Sequence, residues 1–86
     1  MFYVYLIQSK RNDSFYIGQT DDVGARLVKH NAGQVASTKF RRPWKLVGFE
    51  NYLTRREARW REYTLKHNLS EKRKFLKKFL PSSFNG

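Results

Sequence analysis

Residues 2–20 read FYVYLIQSKRNDSFYIGQT, and the fold follows from how this stretch is parsed. Phe2 to Gln8 is a β-branched and aromatic run, Ser14 to Gln19 is a second, and the polar Lys10-Arg11-Asn12-Asp13 between them is turn material. Two such runs at this separation predict a β-hairpin. Tyr3 and Tyr5 then share one strand face, because side chains alternate with a period of two, and cross-strand pairing can set Tyr16 beside one of them. Gly18 follows Ile17 at the strand end, where the absent side chain admits another backbone or a ligand.

Outward from the hairpin, Thr20-Asp21-Asp22 is a helix-start cluster whose acids face the positive end of the helix dipole. A first helix is predicted over Asp22–Asn31, with Val23 and Leu27 inward and Gly33 as its stop signal. A polar loop from Gln34 to Pro43 follows, then a third strand over Lys45–Tyr52 with Leu46, Val47 and Phe49 as its apolar members. Thr54-Arg55-Arg56-Glu57 matches a capping box and opens a second helix that runs to about Asn68. Ser70-Glu71 opens a third, whose Phe75, Leu76, Phe79 and Leu80 form an apolar stripe ended by Pro81. The order β-β-α-β-α-α describes an α+β fold, a small three-stranded antiparallel sheet flanked by helices. In this reading residues 1–80 form a single domain and 81–86 a frayed C-terminal tail.

With 86 residues there is room for one domain, and a chain so short hides only about 60–65% of its unfolded surface on folding. Eighteen Lys and Arg against seven Asp and Glu give a net charge of +11, a self-repelling excess that a polyanion neutralises. Nucleic acid is the expected partner; a merely soluble basic protein, or one bound to anionic membrane, is the alternative. No apolar run approaches the ~20 residues of a spanning helix, and the N-terminus lacks the charged-then-apolar order of a signal peptide, so a cytoplasmic location without membrane is expected. The absence of cysteine removes disulfides, thiolate nucleophiles and cysteine-based zinc sites.

Glu62 stands out because Ala58, Leu65 and Leu69 share its helical face, which sets an acid in an apolar stripe. A buried carboxylate needs a cation, either a metal ion or a side chain, and Lys66, four residues on, is the side chain at hand. Glu57 and Arg61 form a similar pair. Asp22, Arg26 and His30 project from one side of the first helix, as a phosphate-binding guanidinium beside a titratable imidazole or as a solvated face with an Asp22–Arg26 ion pair. Two runs interleave cations with aromatics: Lys39, Arg41, Arg42 and Trp44 around Phe40 in the loop, and Arg55, Arg56 and Arg59 beside Trp60 in the second helix. That mixture suits phosphate contact and base stacking, although the helix arginines also fit an outer face and the two tryptophans also fit a core.

Tyr3-Val4-Tyr5, Tyr16-Ile17-Gly18-Gln19-Thr20, Arg26-Leu27, His30-Asn31, Gly33, Arg42-Pro43, Leu46-Val47, Glu57-Ala58, Arg61-Glu62 and Lys66 stand in this order over nearly the whole chain. Together they resemble the GIY-YIG nuclease superfamily, which includes homing endonucleases and the incision domain of a bacterial excision-repair nuclease, and above all its small stand-alone bacterial members. The first motif here lacks its glycine. The resemblance implies Tyr5 and Tyr16 as the motif tyrosines, Gly18 as the glycine that keeps the pocket open, Arg26 as the catalytic arginine, His30 as the helix histidine and Glu62 as the metal-binding glutamate. It offers Asn68 as the asparagine that many members place beyond the glutamate.

The implied activity is metal-dependent endonucleolytic hydrolysis of DNA phosphodiester bonds, in repair or recombination, on branched, nicked or non-specific DNA. Tyr5, helped by Tyr16 and His30, takes the proton of the attacking water, Arg26 stabilises the phosphoryl oxygens, and Mg²⁺ or Mn²⁺ on Glu62 stabilises the leaving group. One carboxylate is a thin anchor for Mg²⁺, which keeps most of its waters and leans on substrate phosphate. The rival expectation is a non-catalytic nucleic-acid-binding module that keeps the fold and the charge; a third is an accessory subunit whose protein partner supplies the target.

Overall fold

In the computed structural model, which describes residues 1–80, β1 (Phe2–Ser9) and β2 (Phe15–Thr20) form the expected hairpin. β3 (Trp44–Tyr52) pairs with the other side of β1, so the antiparallel sheet has the order β2-β1-β3. α1 (Val23–Asn31) leads into a loop with a 3₁₀ turn at Lys39–Arg41, and α2 (Arg55–His67) and α3 (Leu69–Phe79) follow β3. The predicted fold class and element order hold. The expected Pro81 stop and the 81–86 tail lie outside the described residues. Among those described, no helix is long and apolar enough to cross a membrane.

β1 is the middle strand and both of its faces are covered, which explains why it reads as an unbroken apolar run rather than an alternating one. Val4 and Leu6 pack with Ile17, Ala58, Leu65 and Phe75 beneath α2 and α3, whereas Tyr5 and Ile7 pack with Trp44, Val23 and Leu27 on the α1 side. At the turn, the buried Ser9 hydroxyl accepts the Arg11 and Asn12 amides and donates to the Arg41 carbonyl at 2.6 Å, so the hairpin tip is tied to the distant loop. Gly48 lets α3 dock: a Cβ built there would lie 2.6 Å from Phe79 Cγ.

Several local expectations are corrected. Asp22 does not pair with Arg26; it precedes α1 as its N-cap, accepting the Ala25 amide at 3.0 Å. β3 begins at Trp44, and a register shift opposite Leu6 and Ile7 turns Val47 into the α2–α3 core while Leu46 and Phe49 fall on a face that α1 leaves open. Arg61 ignores Glu57 and bridges Glu50 at 3.0 Å and Glu71 at 3.1 Å. Glu57 instead accepts a hydrogen bond from the Thr54 hydroxyl at 3.0 Å, while that hydroxyl caps α2 by accepting the Glu57 amide. Glu50 also accepts from Tyr52 and Lys78; burial pushes its carboxyl upward, but these donors together with Arg61 outweigh it and hold the group below its usual range.

α2 ends at Asn68, as expected; the extended backbone of that residue closes α2 while its Oδ1 caps α3 through the Glu71 amide at 3.0 Å. Because the helix breaks there, Leu69 starts α3 and is exposed instead of continuing the stripe of Ala58 and Leu65. Asn68, carried over from the resemblance, therefore serves as the joint between two helices.

Candidate functional site

Tyr5 lies at the centre of β1 with its side chain on the α1 side, opposite Gly18 of β2. The glycine is a steric requirement, since a Cβ there would overlap the Tyr5 hydroxyl and lie 2.6 Å from Cζ. Val23 and Leu27 seat α1 on the sheet, and the helical period then carries Arg26 and His30 toward the same ring. The Tyr5 hydroxyl is 2.8 Å from His30 Nε2, and it accepts the Arg26 Nε–H at 3.4 Å. His30, fully buried, has its Nδ1 2.7 Å from the Thr38 hydroxyl.

This chain of bonds assigns the protons. Thr38 donates to the Val35 carbonyl at 3.4 Å, so its oxygen is left to accept Nδ1–H, and Nε2 is left to accept the Tyr5 proton. Burial first, and the Arg26 charge second, push His30 down to about 4, so the imidazole is neutral near pH 7 as the assignment requires. Burial likewise pushes Tyr5 up to about 12, against the Arg26 hydrogen bond, which lowers it. The Arg26 guanidinium is raised above its ordinary value, chiefly by the bond to Tyr5.

A stability prediction follows with its sign. His30 titrates at 6.5 when unfolded and at about 4 when folded, so the unfolded chain binds more protons in that window. The contribution is present above pH 6.5 and is lost as pH falls toward about 4. Urea unfolding across this range should show a loss of about 3 kcal/mol in wild type that is missing from His30→Gln, whatever that variant's absolute stability.

Tyr16 stands two pairs along the hairpin, opposite Ile7 and on the same face as Tyr5, its ring 6.4 Å from that of Tyr5 and 5.2 Å from His30. Its hydroxyl has no hydrogen-bond partner among the described residues, and no buried polar side-chain atom lacks one, so this hydroxyl reaches solvent. Glu62 and Lys66 come from α2 around the β2 edge: Lys66 Nζ is 2.7 Å from Glu62 Oε2 and 5.2 Å over the Tyr16 ring. Glu62 is a rim group, not a sealed one, with its side chain 23% exposed. Lys66 over the Tyr16 ring brings α2 to the hairpin, and Glu62 is near enough to exert a weak electrostatic influence on Tyr5 and Arg26.

The family model described as the GIY-YIG catalytic domain matches residues 1–75. The chain belongs to the GIY-YIG family. A UPF0213 protein of Staphylococcus epidermidis is 50% identical over 66 residues, covering 74% of this chain and 78% of the relative. One from Staphylococcus aureus is 44% identical over 72 residues, covering 83% and 87%. The solution NMR structure of a UPF0213 protein from Bacillus halodurans matches with a TM-score of 0.57 at 33% identity, over 94% of this chain and 89% of that one. Membership of the GIY-YIG family implies nuclease-type activity on nucleic acid in general.

This GIY-YIG chain sorts the expected nucleic-acid residues into two groups. Trp44 is corrected to core: it is 2% exposed, and its indole N–H donates to the Thr38 carbonyl. Arg41 binds Ser14 and Ser37, Arg42 binds the Lys39 carbonyl, and Arg55 binds Gln19. Arg56 and Arg59 are exposed without hydrogen-bond or ion-pair partners among the described residues, and the exposed Lys39 meets only the Phe40 ring.

Sequence reasoning missed Thr38, which no local pattern marks. It also gave no role to Asn31, whose amide clips α1 to β3 by bonding both the amide and the carbonyl of Trp44. For the implied dication, no group of three His, Asp or Glu side chains gathers among the described residues. Glu62 Oε1 has no protein partner there, so the donor set fits a hard cation that takes one carboxylate and completes its shell with water and substrate phosphate.

Proposed function

We propose that the protein is a divalent-metal-dependent DNA endonuclease. The observation that carries this reading is the Arg26 guanidinium. Tyr5 holds it by Nε, both Nη groups lack protein partners among the described residues, and it stands beside an open phenol and a rim carboxylate. A planar fork anchored at one corner and empty at the others suits the non-bridging oxygens of a phosphodiester. Its fixed charge meets the negative charge that develops as the water attacks.

Tyr16 takes the water-activating role in this proposal in place of Tyr5. The Tyr5 hydroxyl is enclosed, engaged on both sides and pushed up to about 12, so it keeps its proton and orients Arg26. Tyr16 presents its oxygen to solvent; as the phenolate, its own proton released to bulk water, it takes the proton of the attacking water and is thereby returned to the phenol. His30 and Thr38 hold Tyr5 from behind. Glu62 would hold Mg²⁺ or Mn²⁺, which when bound offsets charge on the leaving oxygen. The Lys66 pair at 2.7 Å occupies one Glu62 oxygen and favours the rival reading, a binding module with the site out of use.

Cleavage separates the two readings, because both bind DNA with strong salt dependence. Nicked, flapped, branched and single-stranded DNA would be incubated with Mn²⁺ and wild type, beside Glu62→Ala. The nuclease reading expects strand breaks from wild type and few from the variant at equal binding. Equal, intact substrates in both lanes would leave only the binding module.

A further inference from the structure

The outer side of α2 carries a feature the hydrolytic site does not use. Trp60 and Tyr63 are 69% and 54% exposed, yet they stack on one another with centroids 5.7 Å apart and planes 15° from parallel. Tyr63 stacks in turn on His67, at 4.0 Å and 20°. Exposed aromatics in a soluble domain usually lie scattered; here three are aligned along one helix. Trp60 and Tyr63 border a groove of about 790 Å³ that Arg55, Arg56, Glu57 and Arg59 also line.

Its rim is cationic. Arg56 and Arg59 have no acidic partner among the described residues, and Arg55 has only a 3.8 Å contact with Asp21. Glu57, the lining acid, is engaged by the Thr54 hydroxyl at the helix start. Flat rings beside unneutralised guanidinium groups complement bases beside phosphates, and in an unpaired strand the base faces are free to stack. An apolar protein partner would have to bury these cations without a counter-charge.

The groove and Glu62 share one helix: Tyr63 follows Glu62 directly, about 100° round α2, and Arg59 lies one turn before both.

We infer that the Trp60–Tyr63–His67 stack with Arg56 and Arg59 is a stacking exosite for an unpaired stretch of DNA. The inference names the substrate geometry of the site proposed above and rests on that reading only for what the bound strand is used for. Duplex DNA would meet the cations but not the rings.

The test is fluorescence anisotropy of a labelled oligothymidine and of a duplex of equal length, at one salt concentration and in EDTA. Both rings are exposed, so Trp60→Ala and Tyr63→Ala leave the core intact. Each should weaken oligothymidine binding at least about fivefold and change duplex binding by no more than about twofold. Emission from Trp60, in contrast to buried Trp44, should be quenched on titration with oligothymidine. Equal losses on both ligands, or none on either, overturn the inference, as does a dimer in sedimentation that Trp60→Ala dissociates. Because the titrations run without metal, the two readings fail separately. Ring-dependent binding without cleavage sinks the nuclease alone, and cleavage with ring-independent binding sinks the exosite alone.

Discussion

Under the proposed nuclease reading, Arg26→Ala should cut DNA about 100- to 1000-fold more slowly than wild type, the cost of one preorganised donor facing developing charge, while binding should weaken only as expected for one lost phosphate contact. The separation is expected because many other cations would hold the DNA in a chain of net charge +11, whereas one guanidinium is anchored on the Tyr5 hydroxyl. Arg26→Lys does not restore the rate. An ammonium has no Nε for the Tyr5 oxygen and no planar fork for two phosphoryl oxygens, so it keeps the charge and loses the aim. Tyr5→Phe falls between, because the guanidinium keeps its chemistry but loses the 3.4 Å bond that orients it. Single-turnover cleavage with enzyme in excess, read against the Kd for the same substrate, separates rate from affinity. An Arg26→Ala chain that cuts at the wild-type rate would remove Arg26 from the chemistry.

How much of this was legible in the chain depends on range. The hairpin, both interior-facing positions of α1 and the stripe of α3 rest on patterns a few residues long, and they appear where expected. The failures begin where two distant segments decide. Leu46 and Phe49, three residues apart, would lie on opposite faces of a regular strand, but the extra residue in β3 sets them opposite Ile7 and Tyr5 on one face, and nothing within β3 announces it. Arg61 has Glu57 at a favourable spacing, yet it turns to Glu50 and Glu71 because the sheet edge and α3 bring two carboxylates to it.

The candidate site divides in the same way. Arg26 and His30 are separated by one turn of a well-capped helix, so their common direction follows from the period. Their common target does not: that Tyr5 lies between them is a property of how α1 sits on β1. Thr38 is the clearest omission, an ordinary loop threonine until the fold sets its hydroxyl 2.7 Å from His30. Glu62 stands out in the sequence as an acid in an apolar stripe, but that stripe counts Leu69, which lies past the end of α2 and is exposed. Glu62 itself is a rim group, with Lys66 on one oxygen.

Gly18→Ala ties these observations into one stability experiment. The new methyl must share space with the Tyr5 ring, 2.6 Å from Cζ and 3.0 Å from Cε1, and the ring is 2% exposed with no room to retreat. If the ring slides, it abandons His30 and Arg26; if the strands part, the Tyr5–Gly18 pairing at the centre of the hairpin is lost. Overpacking costs about 1–3 kcal/mol, and an orphaned His30 nitrogen adds about 1–3 more. In a chain this small the Tm should drop by roughly 4–8 °C per kcal/mol. Cleavage measured well below the lowered Tm should fall as well, since Arg26 loses its anchor. Gly48→Ala is the control: its Cβ meets the Phe79 ring just as tightly, on the face away from Arg26. A comparable Tm loss with cleavage intact is expected there. The pair Gly18→Ala and Tyr5→Phe should be less than additive, by about 0.5–3 kcal/mol, because one oxygen underlies both effects. Strict additivity, or a Gly18→Ala chain as stable and active as wild type, would mean that this glycine is not what gives the tyrosine hydroxyl its place.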